Sequence, residues 1–531
     1  MRYAASIFSV ISLALFGSMA VFVSPAWAIA AAPFLVLTLL AFYDVAQKRH
    51  NLWRIYPIIG HLRWAMEAVR PELQQYFVES NTDGAPFNRD IRSLVYQRAK
   101  LTHEEDPFGT ELNLYAEGHE WFNHSIAPLA VPENPPKVTV GGPDCTRPYD
   151  MALLNVSALS FGSLSSNAIA ALNKGAAIGG FAHDTGEGSI TRYHLEHGGD
   201  LIWEIGSAYF GCRTPDGAFD PSQFRDKANI DPVKMINIKL SQGAKPGLGG
   251  VMPGEKVTPE IAEIRGVPVG KTVVSPPNHS AFSTPRELIE FVASLREMAD
   301  GRPVGFKLCI GHRRDFLAIC KAMLEMNITP DFIVIDGSEG GTGAAPLEFV
   351  DHVGTPLTEG LIFAHNALVG TNLRDRIKLG CSGKIASGFS MAARIAQGAD
   401  YTNSARAMMF ALGCIQAKTC HNNKCPVGVA TQDPARVRGL DVDVKAVRVA
   451  NFQRLTVESL MRLIASMGLS CPEELDPSML MRRLDPHTSI SYAELYRYLK
   501  PGELLGDPPE KWAVDWAAAN PDRFGLVPTP H

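Results

Sequence analysis

A (β/α)8 (TIM) barrel is the fold class that the 531-residue sequence predicts, with an apolar amino-terminal hairpin and helical extensions at both ends. Three observations lead there. From about residue 150, short β-branched runs alternate with helical patterns, which implies right-handed βαβ units and a parallel sheet. About seven or eight such units occupy roughly 270 residues, a closed barrel's share rather than an open sheet's. No G-x-G-x-x-G opens a helix after a strand with an acidic residue at the right distance, and no P-loop occurs.

The amino terminus comes first. Positions 3–43, between Arg2 and Asp44, hold 41 residues without a charge. One bilayer crossing needs about 20 apolar residues. Ser24-Pro25 falls mid-run, where proline breaks a helix. Two membrane-spanning helices, about 5–23 and 27–43, are therefore expected. Arg2 before them and Lys48-Arg49 after them put both ends, and the domain that follows, on the cytoplasmic side of the inner membrane. The rival is a signal peptide cleaved after Ala26-Trp27-Ala28. It would leave a second apolar run, residues 29–43, at the new terminus.

Residues 1–45 thus form a membrane segment. Residues 46–140 are polar and aromatic, with one helix around 60–80, and form an extension packing on the barrel. The barrel takes 141–450, and 451–531 form a helical tail. Its strands are read at NVSALSFG (155–162), MINIKLSQGAKPG (235–247), KTVVSPP (271–277), RPVGFKLCIG (302–311), DFIVIDGSEGGTG (331–343), RIKLGCSGKI (376–385) and ADYTNSARA (399–407). Hydrophobic content of 46% argues against global disorder, and a net charge of −5 disfavours a nucleic-acid partner.

A barrel places its chemistry at the carboxyl ends of its strands. Those ends carry Ser160, Gly162 and Ser163; Glu187 in TGEG; Lys239, Gln242 and Lys245; Lys307; Gly341 and Gly343; Ser382 and Gly383; Ser404 and Ala405. Glycine-rich loops after the last three strands suit a bound phosphate, although most glycines simply turn chains. Lys307, inside an apolar strand, demands an anionic or electron-rich partner such as a reduced flavin, or else snorkels to solvent. Lys239, Gln242 and Lys245 stand three apart and would share one helical face, fit for a dicarboxylate or keto acid; a solvated loop is the plainer alternative.

Cys414, Cys420 and Cys425 follow a C-x5-C-x4-C spacing in GCIQAKTCHNNKCPVGVATQ. Zinc would need a fourth ligand, and the adjacent His421 points away from Cys420 at the start. A four-iron cluster needs a fourth thiolate, which Cys381 or Cys471 supplies only by folding back. Three thiolates fit a three-iron cluster, against the alternative of buried cysteines grouped by chance.

SFGSLS, DTGEG, IKLSQGAKPGLGGVMPGEKVTP, SPPNHS, GSEGGTGAAPL and the cysteine stretch, in order over about residues 60–440, resemble the FMN-binding synthase domain of glutamate synthase. The resemblance implies one FMN and a 3Fe-4S cluster on Cys414, Cys420 and Cys425. It implies electrons passing from cluster to flavin and hydride transfer to 2-iminoglutarate, formed from 2-oxoglutarate and ammonia, giving L-glutamate. Lys239, Gln242, Lys245 and Arg265 would line the flavin and substrate pocket, Glu187 would position substrate, and Lys307 would meet the flavin's pyrimidine ring. The glycine loops, with Ser382 and residues 403–406, would surround the flavin and its phosphate.

Two departures stand out: Val251 replaces the family's glutamine in GGQLPG, and GEGGE becomes Gly186-Glu187-Gly188-Ser189-Ile190. They keep another amino or keto acid open as substrate, and a flavin/iron–sulfur electron-relay subunit without turnover as a further alternative. No glutaminase half is apparent, so free ammonia or a separate glutaminase would supply nitrogen. Ferredoxin or a reductase subunit would supply electrons.

Overall fold

A computed structural model describes residues 2–102 and 104–525 of the chain. It divides into two compact units, Met1–Asn88 and Arg89–His531.

The first unit opens on two helices, α1 (Ala4–Phe22) and α2 (Trp27–Ala46), both long and apolar enough to cross a membrane, with mean hydropathy 2.1 and 2.0. The break falls at the serine and proline that the sequence marks. Phe16 stacks on Trp27 and Phe34 between the helices, with ring centroids 5.8 and 5.5 Å apart. Thr38 donates to Ser9 Oγ at 3.3 Å in the buried seam. Asp44, wholly buried at the end of α2, accepts from the Ile58 amide and pairs with His61 Nε2 at 2.8 Å. A helix Gly60–Leu73 follows.

In the second unit eight parallel strands close a barrel: β1 (Leu154–Val156), β2 (His183–Asp184), β3 (Leu201–Ile205), β4 (Val233–Lys239), β5 (Val304–Leu308), β6 (Phe332–Asp336), β7 (Lys378–Ser382) and β8 (Tyr401–Ser404), with β8 pairing back onto β1. Consecutive strands are neighbours, as short βαβ connections dictate. Their residues are buried almost throughout, because helices cover the outside and side chains fill the inside, and polar residues such as Asn155, Glu204, Asn237 and Lys307 stand among the apolar ones. Ser165, Thr284 and Ser387 cap three of the outer helices through their hydroxyls.

The strand series read from sequence differs in three places. KTVVSPP supplies only Val273–Val274, which pairs antiparallel with Val251–Met252 outside the barrel; Val274 is 65% exposed. β-Branched residues suit any pleated surface, not the barrel wall alone. The wall positions are taken by β2, two residues long, and by β3, whose LIWEI run is interrupted by Glu204.

The long helix Val442–Ser466 packs on the barrel helix Ser166–Gly179 and on Arg89–Lys100. Gly175 permits the first contact, since a Cβ there would lie 2.8 Å from the Val449 side chain. The tail is not purely helical. Leu480–Arg483 pairs with Ser489–Ser491 and with Glu120–Phe122, forming a three-stranded sheet apart from the barrel.

Candidate active site

The barrel interior is polar near its top. Lys307 on β5 hydrogen-bonds the Glu204 carboxylate on β3, and Asn237 on β4 donates to Asp184 Oδ2 on β2 at 3.0 Å. Alternate strands supply each pair, as the layered filling of such barrels requires. Burial alone would lower the Lys307 ammonium, but Glu204, Asp184 and Asp336 outweigh it and raise its pKa. Burial and Glu204 together raise the Asp184 carboxyl. The anionic partner that the sequence demands for Lys307 is thus Glu204.

Above this layer, Glu187, Lys239, Lys245 and Arg265 meet. Lys239 ends β4 and sets Nζ 3.1 Å from Glu187 Oε2. Glu187 lies in the loop after β2 and is wedged against Gly250, where a Cβ would fall 1.8 Å from its Oε1. Arg265 ends the helix Pro259–Arg265, donates from Nη2 to Phe161 O at 2.8 Å and lies 4.9 Å above the Phe210 ring. Lys245 is buried and donates to Ala344 O, beyond β6, at 2.7 Å.

The electrostatics follow from this crowding. Burial would raise Glu187, but Lys239 and Arg265, with Lys245 behind them, hold the carboxyl below its usual value. Burial pushes Lys245 down to about 8; Lys239 adds to the fall and Glu187 opposes it. Burial likewise brings Arg265 to about 10 against the pull of Glu187. Three cations around one carboxylate leave an excess of positive charge, which suits a small dianion. Gln242 stands apart, half-buried after β4 with no hydrogen bond to these four among the described residues.

The residues expected to cradle a cofactor lie on the same rim. Ser160, Gly162 and Ser163 form a tight turn after β1, with Leu164 N donating to Ser160 O and Gly162 N to Leu164 O, both at 3.0 Å. Asp336 at the end of β6 accepts from Gly243 N at 2.9 Å and from Ser382 Oγ at 2.6 Å, tying the β4, β6 and β7 tips together. Gly341 packs on the Arg406 side chain, while a Cβ at Gly343 would meet nothing within 4 Å. Ser404 donates to Ile385 O at 2.6 Å, with Ala405 following. Gly383 is buried, and its N–H donates to nothing among the described residues. A buried donor beside β8 suits a phosphate oxygen.

The cysteine loop lies beside the β1 turn. Gln432 donates from Nε2 to Gly162 O at 3.1 Å and Leu164 O at 2.9 Å, and Lys256 Nζ donates to Ser163 O at 2.7 Å and Cys420 O at 3.3 Å. Left-handed turns at Gln416, Lys418 and Asn423 fold the loop, and Asn423 Oδ1 accepts from Gln432 N at 2.7 Å. Burial pushes Cys414 up to about 12, and Cys420 and Cys425 add to it. Burial also raises Cys420, with Cys425 adding. Among the described residues no three His, Cys, Asp or Glu side chains close on one metal ion. A multi-iron cluster puts a separate iron behind each thiolate, which spaces the sulfurs more widely than one shared ion does. Gln416 N, 3.5 Å from Cys414 Sγ, already directs an amide at the sulfur. The donor set of three cysteines on one loop fits such a cluster, whose irons would supply the positive charge that the buried sulfurs of Cys414 and Cys420 lack.

Sequence reasoning missed Asp184, Glu204, Lys256 and His279. A carboxylate inside an apolar run, the signal used for Lys307, would have found Glu204. His279 Nε2 meets Lys239 O at 2.9 Å, and Nδ1 meets Tyr209 OH at 3.0 Å. The carbonyl only accepts, so Nε2 carries the proton. Burial holds this imidazole near 4, neutral, as a support for Lys239. Lys256 gives no sequence signal, because its three carbonyl partners, Ala430 O included, come from distant loops. Replacing Lys256 by Met should cost about 1–3 kcal/mol, since buried carbonyls lose their donor. Thermal unfolding, with limited proteolysis of residues 413–432, checks this; unchanged cutting in the loop counts against it.

A charged cluster at the strand tips with a thiol-rich loop beside it defines a barrel enzyme whose chemistry sits at the carboxyl face. The chain belongs to the glutamate synthase family of oxidoreductases: residues 146–470 match the model of the conserved region in glutamate synthase. It is 34% identical to the glutamate synthase large subunit-like protein YerD of Bacillus subtilis, over 88% of this chain and 96% of that protein. It is 33% identical to the archaeal-type glutamate synthase [NADPH] of Thermotoga neapolitana, over 73% of this chain and 68% of that one. With the ferredoxin-dependent glutamate synthase of Antithamnion sp. it shares 35% over 46% of this chain, which is 15% of that protein. A flavocytochrome b2 mutant with pyruvate bound aligns at TM-score 0.41 and 13% identity over 88% of this chain and 93% of that one, too distant to argue from.

Proposed function

We propose that the chain is a membrane-tethered glutamate synthase-type oxidoreductase that reduces 2-iminoglutarate to L-glutamate with FMN and a 3Fe-4S cluster. The observation that carries this reading is the meeting of Glu187, Lys239, Lys245 and Arg265 at the barrel mouth, next to a loop bearing three cysteines. When bound, the flavin would supply the hydride and the cluster its electrons. Cys414, Cys420 and Cys425 would hold the cluster. Gly383 N–H, with the β7 and β8 tips, would hold the flavin's phosphate.

The chain's own residues bind and orient the substrate. The cations Lys245 and Arg265 would each take a carboxylate of the keto acid through charge-assisted hydrogen bonds. Glu187, kept ionised by Lys239 and Arg265, would accept a hydrogen bond from the imine nitrogen and so position the substrate. His279 fixes the backbone that aims Lys239. Free ammonia or a separate glutaminase would provide nitrogen, and ferredoxin or a reductase subunit the electrons. Helices α1 and α2 would anchor the chain in the inner membrane, with Arg2 and Lys48-Arg49 cytoplasmic.

Turnover of 2-oxoglutarate and ammonium with dithionite-reduced ferredoxin tests the reading. Glutamate formation supports it. A flavin reoxidised only by another keto acid transfers the reaction to that acid, in line with Val251 and Ile190. A flavin that no keto acid reoxidises leaves an electron relay.

The Lys245 value also gives a pH dependence. The charge is present below about pH 8 and lost above it, so keto-acid affinity should fall as pH rises through that value. The drop should be about tenfold, one charge-assisted contact. Lys245→Gln should flatten it. Calorimetry on the full chain reads both, and a wild-type profile flat across about pH 7–9 would sink the assignment.

A further inference from the structure

A cavity of about 810 Å³ opens on the flank of the barrel mouth, outside the cluster described above. It shares only Arg265 with that cluster; Ile190, Arg213, Lys227 and Glu263 form the rest of its working wall. Arg192 also lines it, but its guanidinium is taken by Glu260 at 3.1 Å. The other three cations have no carboxylate within 4 Å among the described residues. Among the described residues Lys227 Nζ hydrogen-bonds Ser189 Oγ alone, at 3.4 Å. Arg213 lies 5.7 Å from the Phe210 ring, and the Asp216 carboxylate feels its charge without a contact within 4 Å. Arg265 is 4% exposed, and its Nε has no hydrogen-bond partner among the described residues.

Buried donors without acceptors are rare, and each leaves a desolvation cost uncompensated. Here Arg265 lines a chamber together with two further cations that no carboxylate pairs within 4 Å among the described residues. Burial also depresses the Lys227 ammonium, as expected of a charge awaiting its counter-ion. Glu263 is exposed at the rim, where water screens it. The volume matches that of small-molecule sites. Arginine forks select planar or tetrahedral oxyanions that accept two bonds at once.

We propose that this flank cavity binds a small polyanion bearing phosphate or carboxylate groups, held by Arg213, Lys227 and Arg265. The site does not rest on the reaction proposed above, because binding is measured without turnover.

The test is calorimetry on the full chain in detergent, with inorganic pyrophosphate as one probe and citrate as the other. Saturable binding at one site per chain is expected for at least one probe. Preference for pyrophosphate assigns phosphate-bearing ligands, and preference for citrate assigns polycarboxylates. The double variant Arg213→Gln/Lys227→Met leaves Glu187, Lys239 and Lys245 untouched and should weaken binding about tenfold or more. Ile190→Glu, which places a carboxylate among the three cations, should abolish binding of both probes and raise the melting temperature. The proposal is overturned if neither probe saturates below about 10 mM, or if both variants bind like the wild type.

Discussion

Lys307→Met is expected to cost the folded barrel about 3–5 kcal/mol, because it strips from a buried acidic layer the ammonium that bonds Glu204. Lys307 bonds Glu204 and feels Asp184 and Asp336 across the barrel. Without it, two or more carboxylates face one another in a site that burial already makes hostile to charge. They would take up protons, so their folded pKa values would rise above the ordinary carboxylate range. A raised carboxyl value gives stability that is complete below the unfolded value and lost as pH climbs above it. The deficit of Lys307→Met should therefore be larger near pH 8 than near pH 5. Removing Glu204 as well, in Lys307→Met/Glu204→Leu, should recover much of the loss, since an apolar pair replaces an orphaned charge. Chaotrope unfolding followed by tryptophan fluorescence, with Trp203 in the β3 wall, measures all three chains. Equal stability of single variant and wild type would mean that the layer is not electrostatically coupled.

Cys420→Ser should abolish the iron–sulfur absorbance and EPR signal of anaerobically purified protein. The loop offers three thiols and no spare. Cys381 is fully buried in β7, and Cys471 lies beside the acidic side chains of Glu473 and Glu474. A serine alkoxide is a poorer ligand for iron than a thiolate, and nothing nearby replaces the lost sulfur. Flavin content should be retained, because the strand tips that would hold it do not depend on Cys420. Iron at the wild-type ratio in the variant would refute the three-cysteine assignment.

The barrel was legible where its strands are mostly apolar and bounded by turn residues, as in VGFKL and FIVID, each with a single charged residue near its end, because parallel strands covered by helices show no polar face. It was illegible at β2, where two residues suffice for pairing, and at β3, where Glu204 breaks the pattern for the sake of Lys307. The cluster of Glu187, Lys239, Lys245 and Arg265 was named in advance through motif resemblance. Its electrostatic logic was not, since it needs Arg265 to reach Phe161 from a helix more than a hundred residues later. Lys256 and the flank cavity had no local signature at all. Each is assembled from segments that only the closed barrel brings together.

The small sheet outside the barrel has a consequence for synthesis. Glu120–Phe122 pairs with Leu480–Arg483, and Arg482 reaches Glu120 across 362 residues of chain. Residues 480–483 leave the ribosome long after residues 120–122, so this clasp closes late, whereas the apolar hairpin of residues 4–46 is made before either strand. A nascent chain stalled before residue 480 would thus carry a barrel domain whose outer sheet lacks its central strand.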